Sequence, residues 1–314
     1  MYKKSMLYKD WLLIWLDNKR KFVKDSTYAT YSLSVMNHLI PTLGNYPLAM
    51  LSEELIQEKI FSWLEEGGCL GGGLSQKTVK ELIMLVKASL RAAAKAKQCE
   101  AMSLEFSYPH CQPQERIKVF SSKASHKLYT YLLHHLEPHN LGLLIALYTG
   151  MRIGEVCALQ WQDIDLERGE LYVHKTLQRI FGKDGAGQLY SRVVISDPKS
   201  HSSRRCIPLK RSLLDIMRRQ NVHQGSAYVI TGTEQYTEPS NYRAYYYKLL
   251  HKLKLPQVNF HGLRHTFATR LIEIGVDYKT VSELLGHSNV NITLNLYVHP
   301  NIEHKHKVLE KLNL

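Results

Sequence analysis

The sequence is poor in cysteine and has no long apolar run. Its 314 residues include five cysteines, at positions 69, 99, 111, 157 and 206, and none of them forms a CxxC pair. An odd, scattered set argues against a disulfide framework or a zinc ribbon and fits a reducing cytoplasm. No apolar stretch approaches the roughly 20 residues that a membrane-spanning helix needs. We therefore expect a cytoplasmic protein without membrane contact.

Acidic residues are also scarce relative to basic ones. The chain holds 28 Asp+Glu against 41 Lys+Arg, a formal net charge of +13. The excess is uneven, because residues 1–115 contain 14 basic and 12 acidic side chains whereas residues 116–314 contain 27 and 16. Such an asymmetry is typical of a protein with a polyanionic partner, although a solvated basic surface would give the same numbers.

Three stretches resemble phosphate or metal sites but lack a required feature. "GCLGGGLS" has the Gly-x4-Gly spacing of a phosphate-binding loop, but Leu74 stands where the lysine must be. "HGLRH" has two histidines four apart, but Gly262 replaces the glutamate of a zinc hydrolase and the cationic Arg264 lies between the histidines. In "HHLEPH", Pro138 separates the histidines. We predict a turn at the first stretch, and no metal or cofactor.

Apolar residues at helical spacing predict a bundle of helices over residues 1–98. Ser26, Ser52 and Ser75 are the predicted N-caps of the second, third and fourth helices. The fourth helix, 76–97, has one apolar stripe and one basic stripe. The basic stripe is spaced to lie along a phosphate backbone, although a solvated face is the alternative, and it consists of Lys77, Lys80, Lys87, Arg91 and Lys95.

Residues 99–118 lose this periodicity and contain two prolines, which predicts a linker. Beyond it, alternating segments predict strands at 169–180, 189–196 and 204–209. Helical patterns cover about 123–135, 138–149, 211–221, 239–253, 263–274, 278–285 and 291–298. We therefore predict a mostly α chain with a helical domain, 1–98, and an α+β domain, 119–314, that contains a small antiparallel sheet.

The second domain contains an ordered series of cationic motifs. In "YTGMRIGEV", Arg152 follows a glycine that ends a helix, and Glu155 is spaced to orient its guanidinium. "ISDPKSHSSRRCIPL" is predicted to form a β-hairpin with Lys199 at its turn and with Arg204 and Arg205 on the return strand. Each feature taken alone has an ordinary structural explanation.

The series continues in the last sixty residues. "HGLRHTFAT" contributes His261 and Arg264, and "LLGHSN" places His287 after a glycine turn. Tyr297 follows ten residues later in an amphipathic helix, where a tyrosine is usually a core aromatic. Together and in this order, these motifs resemble the tyrosine recombinase (phage integrase) family. Its signature is arginine, a hairpin lysine, His-x-x-Arg, histidine or tryptophan, and a nucleophilic tyrosine. The N-terminal strings "IPTLGNYPLAMLS" and "GLSQKTVKELIMLVKASLRAAAK" are similar to the family's helical core-binding domain.

The resemblance implies a SAM-like core-binding domain before the tyrosine recombinase catalytic fold, and it assigns a role to each matching residue. Arg152 and Arg264 would clamp the scissile phosphate, His287 would add a donor, and Tyr297 would form a 3′-phosphotyrosyl intermediate. His261 would act as base or orienter and Lys199 as general acid. Glu155 would hold Arg152, whereas His265 would be a packing residue. Arg204, Arg205 and the basic stripe would contact phosphates.

The implied function is site-specific recombination of double-stranded DNA at core-type sites by the integrase of a mobile element or phage. A type IB topoisomerase and a non-catalytic DNA-binding protein are the alternatives. The family's active form is a tetramer on two DNA sites, so we expect a monomer or weak oligomer without DNA. Residues of about 300–314 would be exchanged between protomers, and an accessory DNA-bending protein could assist. Because helical pattern begins by residue 6, we expect either a two-domain member without an arm-site-binding domain or a chain from which that domain has been removed.

Overall fold

A computed structural model describes residues 6–68, 71–110, 118–197, 201–220, 225–297 and 309–310, with the backbone alone at 201, 292 and 295–297. The chain divides into two compact units. The first comprises Met1–Gln114 and Ile180–Arg192, and the second comprises Glu115–Arg179 and Val193–Leu314. Within the described ranges, no helix is both long and apolar enough to cross a bilayer.

The first unit is a helical bundle. Its helices are α1 (Tyr8–Arg20), α2 (Asp25–Ser34), α3 (Ile40–Leu43), α4 (Glu53–Glu66) and α5 (Gln76–Lys95), with a π turn at Val35–Leu39 and a 3-10 turn at Leu48–Met50. Two predicted caps are confirmed. The Ser52 hydroxyl accepts a hydrogen bond from the Leu55 N–H at 3.2 Å, and the Ser75 hydroxyl accepts one from the Thr78 N–H at 3.1 Å. Each satisfies a backbone donor that the first helical turn leaves unpaired.

The second helix begins earlier than the predicted Ser26 cap indicates, and the helical path continues past Pro41. Lys24 occupies the N-cap position without a capping side chain, so Ser26 lies inside the first turn. Pro41 does not break the helical path, because the chain runs through a π turn directly into α3. A π turn is wider than an α turn and moves the preceding carbonyl away from the proline ring.

The apolar stripe of α5 forms the centre of the first unit's core, as predicted. All six of its members are buried: Val79, Leu82, Ile83, Val86, Leu90 and Ala93. Each buried aliphatic side chain of this kind contributes about 1.5–3 kcal/mol through the hydrophobic effect. Ser89, which is buried in the same helix, forms two hydrogen bonds with α1. Its hydroxyl bonds the Tyr8 hydroxyl at 2.7 Å, and its backbone carbonyl accepts from Trp11 Nε1 at 2.9 Å. These bonds join α5 to α1.

Residues 99–110 contain no helix or strand, yet they pack against the bundle. Ser107 and Gln57 exchange two hydrogen bonds of 2.9 and 3.1 Å, and the Gln76 amide donates to the Pro109 carbonyl at 2.7 Å. The Lys87 ammonium lies over the Phe106 ring, 5.0 Å from its centroid. The segment predicted as a linker therefore belongs to the first unit up to Gln114.

The second unit is an α+β structure. Its helices are α6 (Ser122–His134), α7 (Pro138–Thr149), α8 (Ile153–Ala158), α9 (Arg211–Gln220), α10 (Pro239–Lys252), α11 (Phe260–Glu273), α12 (Tyr278–Leu285) and α13 (Val290–Tyr297). Its strands are β1 (Ile164–Asp165), β2 (Glu170–Val173), β3 (Thr176–Lys183), β4 (Leu189–Ser196) and β5 (Arg205–Pro208), of which β3 and β4 continue into the first unit.

The strands form two small sheets, of order β1-β2-β5 and β3-β4. The hairpin predicted over 195–209 is therefore wrong, because β5 pairs with β2 rather than with β4. The β2–β5 pairing is antiparallel and sets Ile207 opposite Leu171, both of them buried in the core. Burying these two side chains on one face fixes the register, since a slip of one residue would turn them to solvent.

The end of the β3–β4 hairpin, Ile180–Arg192, belongs to the first unit. There, Arg192 forms an ion pair with Asp25 at 2.7 Å, and the Lys183 N–H donates to the Ser32 hydroxyl at 3.0 Å. The first unit is therefore discontinuous in sequence, which local periodicity could not indicate.

Helix α7 lies at the centre of the second unit. Four consecutive residues, Leu143–Ala146, are fully buried, so the helix is apolar around its whole circumference and is surrounded by other elements. It packs against α6, α8 and α11. The end of α7 is therefore a rigid base for the residues that follow it.

Candidate active site

The first part of the site is the turn between α7 and α8. Gly150 ends α7 in the left-handed conformation with φ of 64°. A Cβ there would lie 2.6 Å from the Phe267 ring and 2.8 Å from Leu285, so only glycine fits. This turn places Arg152 directly before α8, with its side chain 37% exposed.

Glu155 holds Arg152 in place. Its carboxylate is 3% exposed and accepts the Arg152 backbone N–H at 2.8 Å and the Arg152 guanidinium at 2.8 Å. Two further bonds, of 3.1 and 2.9 Å, come from the guanidinium of Arg205. Both carboxylate oxygens therefore accept two hydrogen bonds, as a buried charge requires.

Arg205 occupies a different place from the predicted one. It was expected to contact DNA phosphates, but its side chain is 5% exposed and pairs with Glu155. Its Nε donates to the Leu284 carbonyl at 2.7 Å. The Arg205 guanidinium therefore connects β5, α8 and the end of α12, and it is buried rather than exposed at the surface.

The charges around Glu155 compete with its burial. Burial would raise the pKa of this carboxyl, but the hydrogen bonds and charge of Arg205, together with Arg152, more than offset it and lower the pKa below its usual range. Glu155 is therefore ionised at neutral pH.

Helix α11 supplies the second arginine. Asn259 caps the helix by accepting the Gly262 N–H at 2.9 Å, so α11 begins at Phe260, three residues earlier than predicted. Arg264 is 1% exposed. It donates to the Gly150 carbonyl at 3.0 Å and to the Leu285 carbonyl at 2.7 Å. Its guanidinium therefore bridges the ends of α7 and α12.

The third part of the site is the turn after α12. Gly286 adopts φ of 67°, and a Cβ there would meet the Ser202 carbonyl oxygen at 2.9 Å. His287 follows, with its N–H bonded to the Ser282 carbonyl at 3.0 Å. Its ring Nδ1 lies 2.8 Å from the hydroxyl of Thr293 in α13.

The histidine pKa values show that these side chains interact. Desolvation and the charges of Arg264 and Arg152 lower the pKa of His261 to about 4 and that of His287 to about 3. Burial, together with His261 and Arg264, lowers the pKa of His265 to about 4. All three rings are therefore neutral at neutral pH, and the structure brings Arg152, His261, Arg264 and His287 together.

Two predicted catalytic side chains fall outside the described part. Lys199 belongs to the undescribed stretch 198–200, between β4 and β5. The backbone of Tyr297 ends α13, but its side chain is not described. Of the predicted exchange segment 300–314, only Leu309 and Glu310 are described. The roles of these residues stay predictions.

The side chains predicted to contact DNA differ in their exposure and in the groups they touch. In α5, the side chains of Lys77, Lys80, Arg91 and Lys95 are exposed and Lys87 is half-buried. Lys80 lies over the Tyr108 ring at 4.8 Å, so two of the five cations contact residues 99–110. Arg204 is exposed and forms an ion pair with Asp197. The buried placement of Arg205 contradicts its predicted phosphate contact, and the DNA contacts of the other residues stay predictions.

The sequence prediction did not identify Arg205 or Thr293 as parts of the site's framework. One signal was available for Arg205, because residues two apart in a strand share a face and Ile207 is an evident core residue. Nothing local marked Thr293, whose partner is reached only when α12 and α13 fold together. In the described ranges, no three His, Cys, Asp or Glu side chains come together as potential metal ligands.

Comparison with known proteins relates this geometry to a family. Residues 114–304 match the phage integrase family model, and residues 7–64 match the model of the phage integrase N-terminal SAM-like domain. A XerC-like tyrosine recombinase of Caldanaerobacter subterraneus is 34% identical over 219 residues, covering 64% of this chain and 56% of that protein. The Tn916 transposase of Enterococcus faecalis is 29% identical over 188 residues, 54% of this chain and 44% of that protein. The chain thus spans about half the length of these relatives.

Solved structures show the same fold. An integrase of transposon Tn1549, in complex with a circular intermediate DNA, superposes with a TM-score of 0.74 at 22% identity, covering 98% of this chain and all of that one. The lambda integrase tetramer bound to a Holliday junction gives a TM-score of 0.66 at 18% identity, with coverage of 94% and 78%. With the family model matching more than half of its residues, the chain belongs to the phage integrase family of tyrosine recombinases.

Proposed function

We propose that this protein is a site-specific DNA recombinase, the integrase of a mobile element, which cleaves and rejoins strands through a 3′-phosphotyrosyl intermediate. One observation supports it above the others. Two arginines and two neutral histidines from three separate segments surround one place, and α13 follows them directly and ends at Tyr297.

The two arginines suit a phosphodiester substrate. A phosphodiester is already anionic, and attack on phosphorus gathers more charge on its non-bridging oxygens. Preorganised cations stabilise that charge without reorganising during the reaction. Arg152 is fixed by Glu155, and Arg264 by two backbone carbonyls. In the proposed mechanism each guanidinium donates to a non-bridging oxygen, for which its planar fork is well suited.

The remaining roles concern protons. A free tyrosine hydroxyl has a pKa of about 10, so the nucleophile must lose its proton during attack. His261 is neutral in the free protein, with a pKa lowered to about 4 by desolvation and by Arg264 and Arg152, and a bound phosphate would offset the arginine charges and make the ring a better proton acceptor. Tyr297 Oη would form a bond to phosphorus while the 5′-oxygen leaves with a proton from Lys199. A 5′-hydroxyl of another strand then reverses these steps, so the phosphoester bond is conserved.

The DNA and the assembly are proposed by analogy with the solved relatives, one bound to a circular intermediate and one a tetramer on a Holliday junction. We propose core-type double-stranded sites, a homotetramer on two such sites, a monomer or weak oligomer without DNA, and action in the cytoplasm at the nucleoid. The exposed cations of α5 would contact phosphates. We also propose that an accessory DNA-bending protein assists recombination of the mobile element.

The test uses the full chain and a nicked duplex copied from the DNA that flanks its own gene. We expect an SDS-stable protein–DNA adduct with the wild-type protein. Tyr297→Phe should bind the duplex and form no adduct. Tyr278→Phe, a matched change in α12, should form the adduct as the wild type does.

An adduct with Tyr297→Phe, or strand cleavage without a covalent link, would contradict the proposed chemistry. Two copies of the site on one supercoiled plasmid then separate the alternatives. Strand exchange between the copies supports a recombinase, whereas relaxation alone supports a type IB topoisomerase. Binding without any adduct supports a non-catalytic DNA-binding protein.

The tetramer has its own test. Deleting residues 300–314 should leave cleavage of a single site intact and abolish exchange between two sites, since the segment is proposed to join protomers. Unchanged exchange by the shortened chain would dismiss that role. Sedimentation with and without the flanking duplex reports the assembly directly.

A further inference from the structure

A hydrogen bond joins the side chains of His287 and Thr293. The imidazole Nδ1 and the threonine Oγ1 are 2.8 Å apart, although the two residues belong to different elements. Thr293 is fully buried, in the helix that ends at Tyr297. A buried hydroxyl with a ring nitrogen as partner needs an explanation beyond packing, because valine would fill the same volume.

The backbone that carries His287 is already fixed from the other side. Arg205 donates to the Leu284 carbonyl and Arg264 to the Leu285 carbonyl, at 2.7 Å each. The His287 N–H is bonded to Ser282. These contacts fix the backbone at His287, and the hydrogen bond between Nδ1 and the Thr293 hydroxyl holds the ring itself.

The protonation state makes this orientation chemically important. His287 has a pKa of about 3, lowered by desolvation and by Arg264 and Arg152, so the ring is neutral at neutral pH. A neutral imidazole has a single N–H, and the Thr293 hydroxyl is able either to donate to Nδ1 or to accept from it. An Nδ1–H tautomer would turn the lone pair of Nε2 towards any anion bound beside the two arginines, which is repulsive.

We propose that Thr293 is a positioning residue, whose hydroxyl donates to Nδ1 of His287 and so keeps the hydrogen on Nε2, where it can be donated to a phosphate oxygen. The proposal rests on the proposed function and adds a residue to it. In this way a neutral histidine serves as a hydrogen-bond donor without being protonated.

The same bond sets the position of the nucleophile's helix. Residues four apart on an α-helix lie on one face, so Thr293 and Tyr297 are one turn apart on the same side of α13. Anchoring Thr293 to His287 therefore fixes the rotation of α13 about its axis. One hydroxyl thus orients the phosphate donor and aligns the helix that carries the tyrosine.

The first measurement is independent of catalysis. Long-range ¹H–¹⁵N correlation of histidine-labelled full-length protein distinguishes the two neutral tautomers, and a His287→Gln sample identifies the resonance. We expect the Nε2–H tautomer in the wild type and in Thr293→Ser, and loss of that preference in Thr293→Val. An Nδ1–H tautomer in the wild type overturns the proposal, even if a variant fails to fold.

The second measurement is the rate of adduct formation on the nicked flanking duplex. We expect Thr293→Val to react about 10- to 100-fold more slowly, as for the loss of a group that orients a catalytic donor. Its affinity for the duplex should be unchanged, and Thr293→Ser should recover most of the rate. Equal rates for the valine variant and the wild type contradict the proposal. If the wild type forms no adduct, the proposed function fails, whereas the tautomer result still decides the role of Thr293.

Discussion

Replacing Arg205 with methionine removes one charge from the buried pair with Glu155 and keeps most of the apolar side chain. Removing one member of a buried ion pair costs about 3–5 kcal/mol, because the remaining charge is left without its partner. Arg152 still donates two hydrogen bonds to Glu155, both at 2.8 Å. We therefore expect the lower end of that range, a loss of about 3 kcal/mol in the free energy of unfolding.

The assay is urea denaturation of the full chain, followed by far-UV circular dichroism. Lys279→Met is the matched control, since it breaks an exposed pair, Lys279–Glu283 at 3.1 Å, whose loss should change stability little. Combining Arg205→Met with Glu155→Gln should restore part of the stability, because neither charge is then buried alone. A loss below about 1 kcal/mol for Arg205→Met, or strictly additive single changes, would refute the reasoning.

The pH dependence supplies an independent check. The folded-state pKa of Glu155 is lowered, so its contribution to stability is present above the unfolded pKa of about 4.3 and is lost as the pH falls through the folded value. Without Arg205, two of the interactions that lower the pKa of Glu155 are lost, so we expect that pKa to rise. The stability gap between Arg205→Met and the wild type should therefore be widest at neutral pH and narrow under acid conditions.

Three further predictions concern other parts of the molecule. Gly286→Ala should slow adduct formation and destabilise the chain, because the φ is unfavourable for alanine and the new Cβ would lie 2.9 Å from the Ser202 carbonyl oxygen. Gly275→Ala is the control, since Gly275 has a positive φ without crowding. The buried His265 ring has a folded pKa of about 4, so protonating it between about pH 6.5 and 4 costs the wild type about 3 kcal/mol in the free energy of unfolding. His265→Gln should remove this loss, which urea denaturation at several pH values measures. Lys77→Gln and Arg91→Gln should each lower the salt slope of DNA affinity, measured by fluorescence anisotropy, by about 0.9, and an unchanged slope would exclude a phosphate contact.

Local signals in the sequence predicted the elements well. Helix α7 has its predicted bounds, 138–149, because a proline and a glycine mark its two ends. Ser52 and Ser75 cap their helices, and the apolar stripe of α5 is buried. Each of these features depends on residues within a few positions of one another, which is the range that periodicity and capping describe.

Long-range pairing was harder to predict. The strand before Lys199 and the strand after it suggested a hairpin, but β5 pairs with β2, which lies some thirty residues earlier. Segment 99–110 has no periodicity, yet it packs through Gln57 and Gln76. In both cases the segment packs against residues that are distant in sequence and otherwise uncovered. A window of local sequence does not identify those residues.

The site depends on local motifs and on long-range contacts, and together they determine its electrostatics. The arginines and the local contact of Arg152 with Glu155 were visible as motifs, but two other contacts are non-local: Arg205 also donates to Glu155, and Arg264 donates to carbonyls at the ends of α7 and α12. Positive charge is therefore assembled in the folded chain, and desolvation together with this charge lowers the pKa of His261 and His287. In the proposed mechanism a bound phosphate offsets the arginine charges, so we expect the pKa of both histidines to rise when DNA binds. Packing alone does not require two arginines beside neutral imidazoles, and the proposed anionic substrate rests on this arrangement.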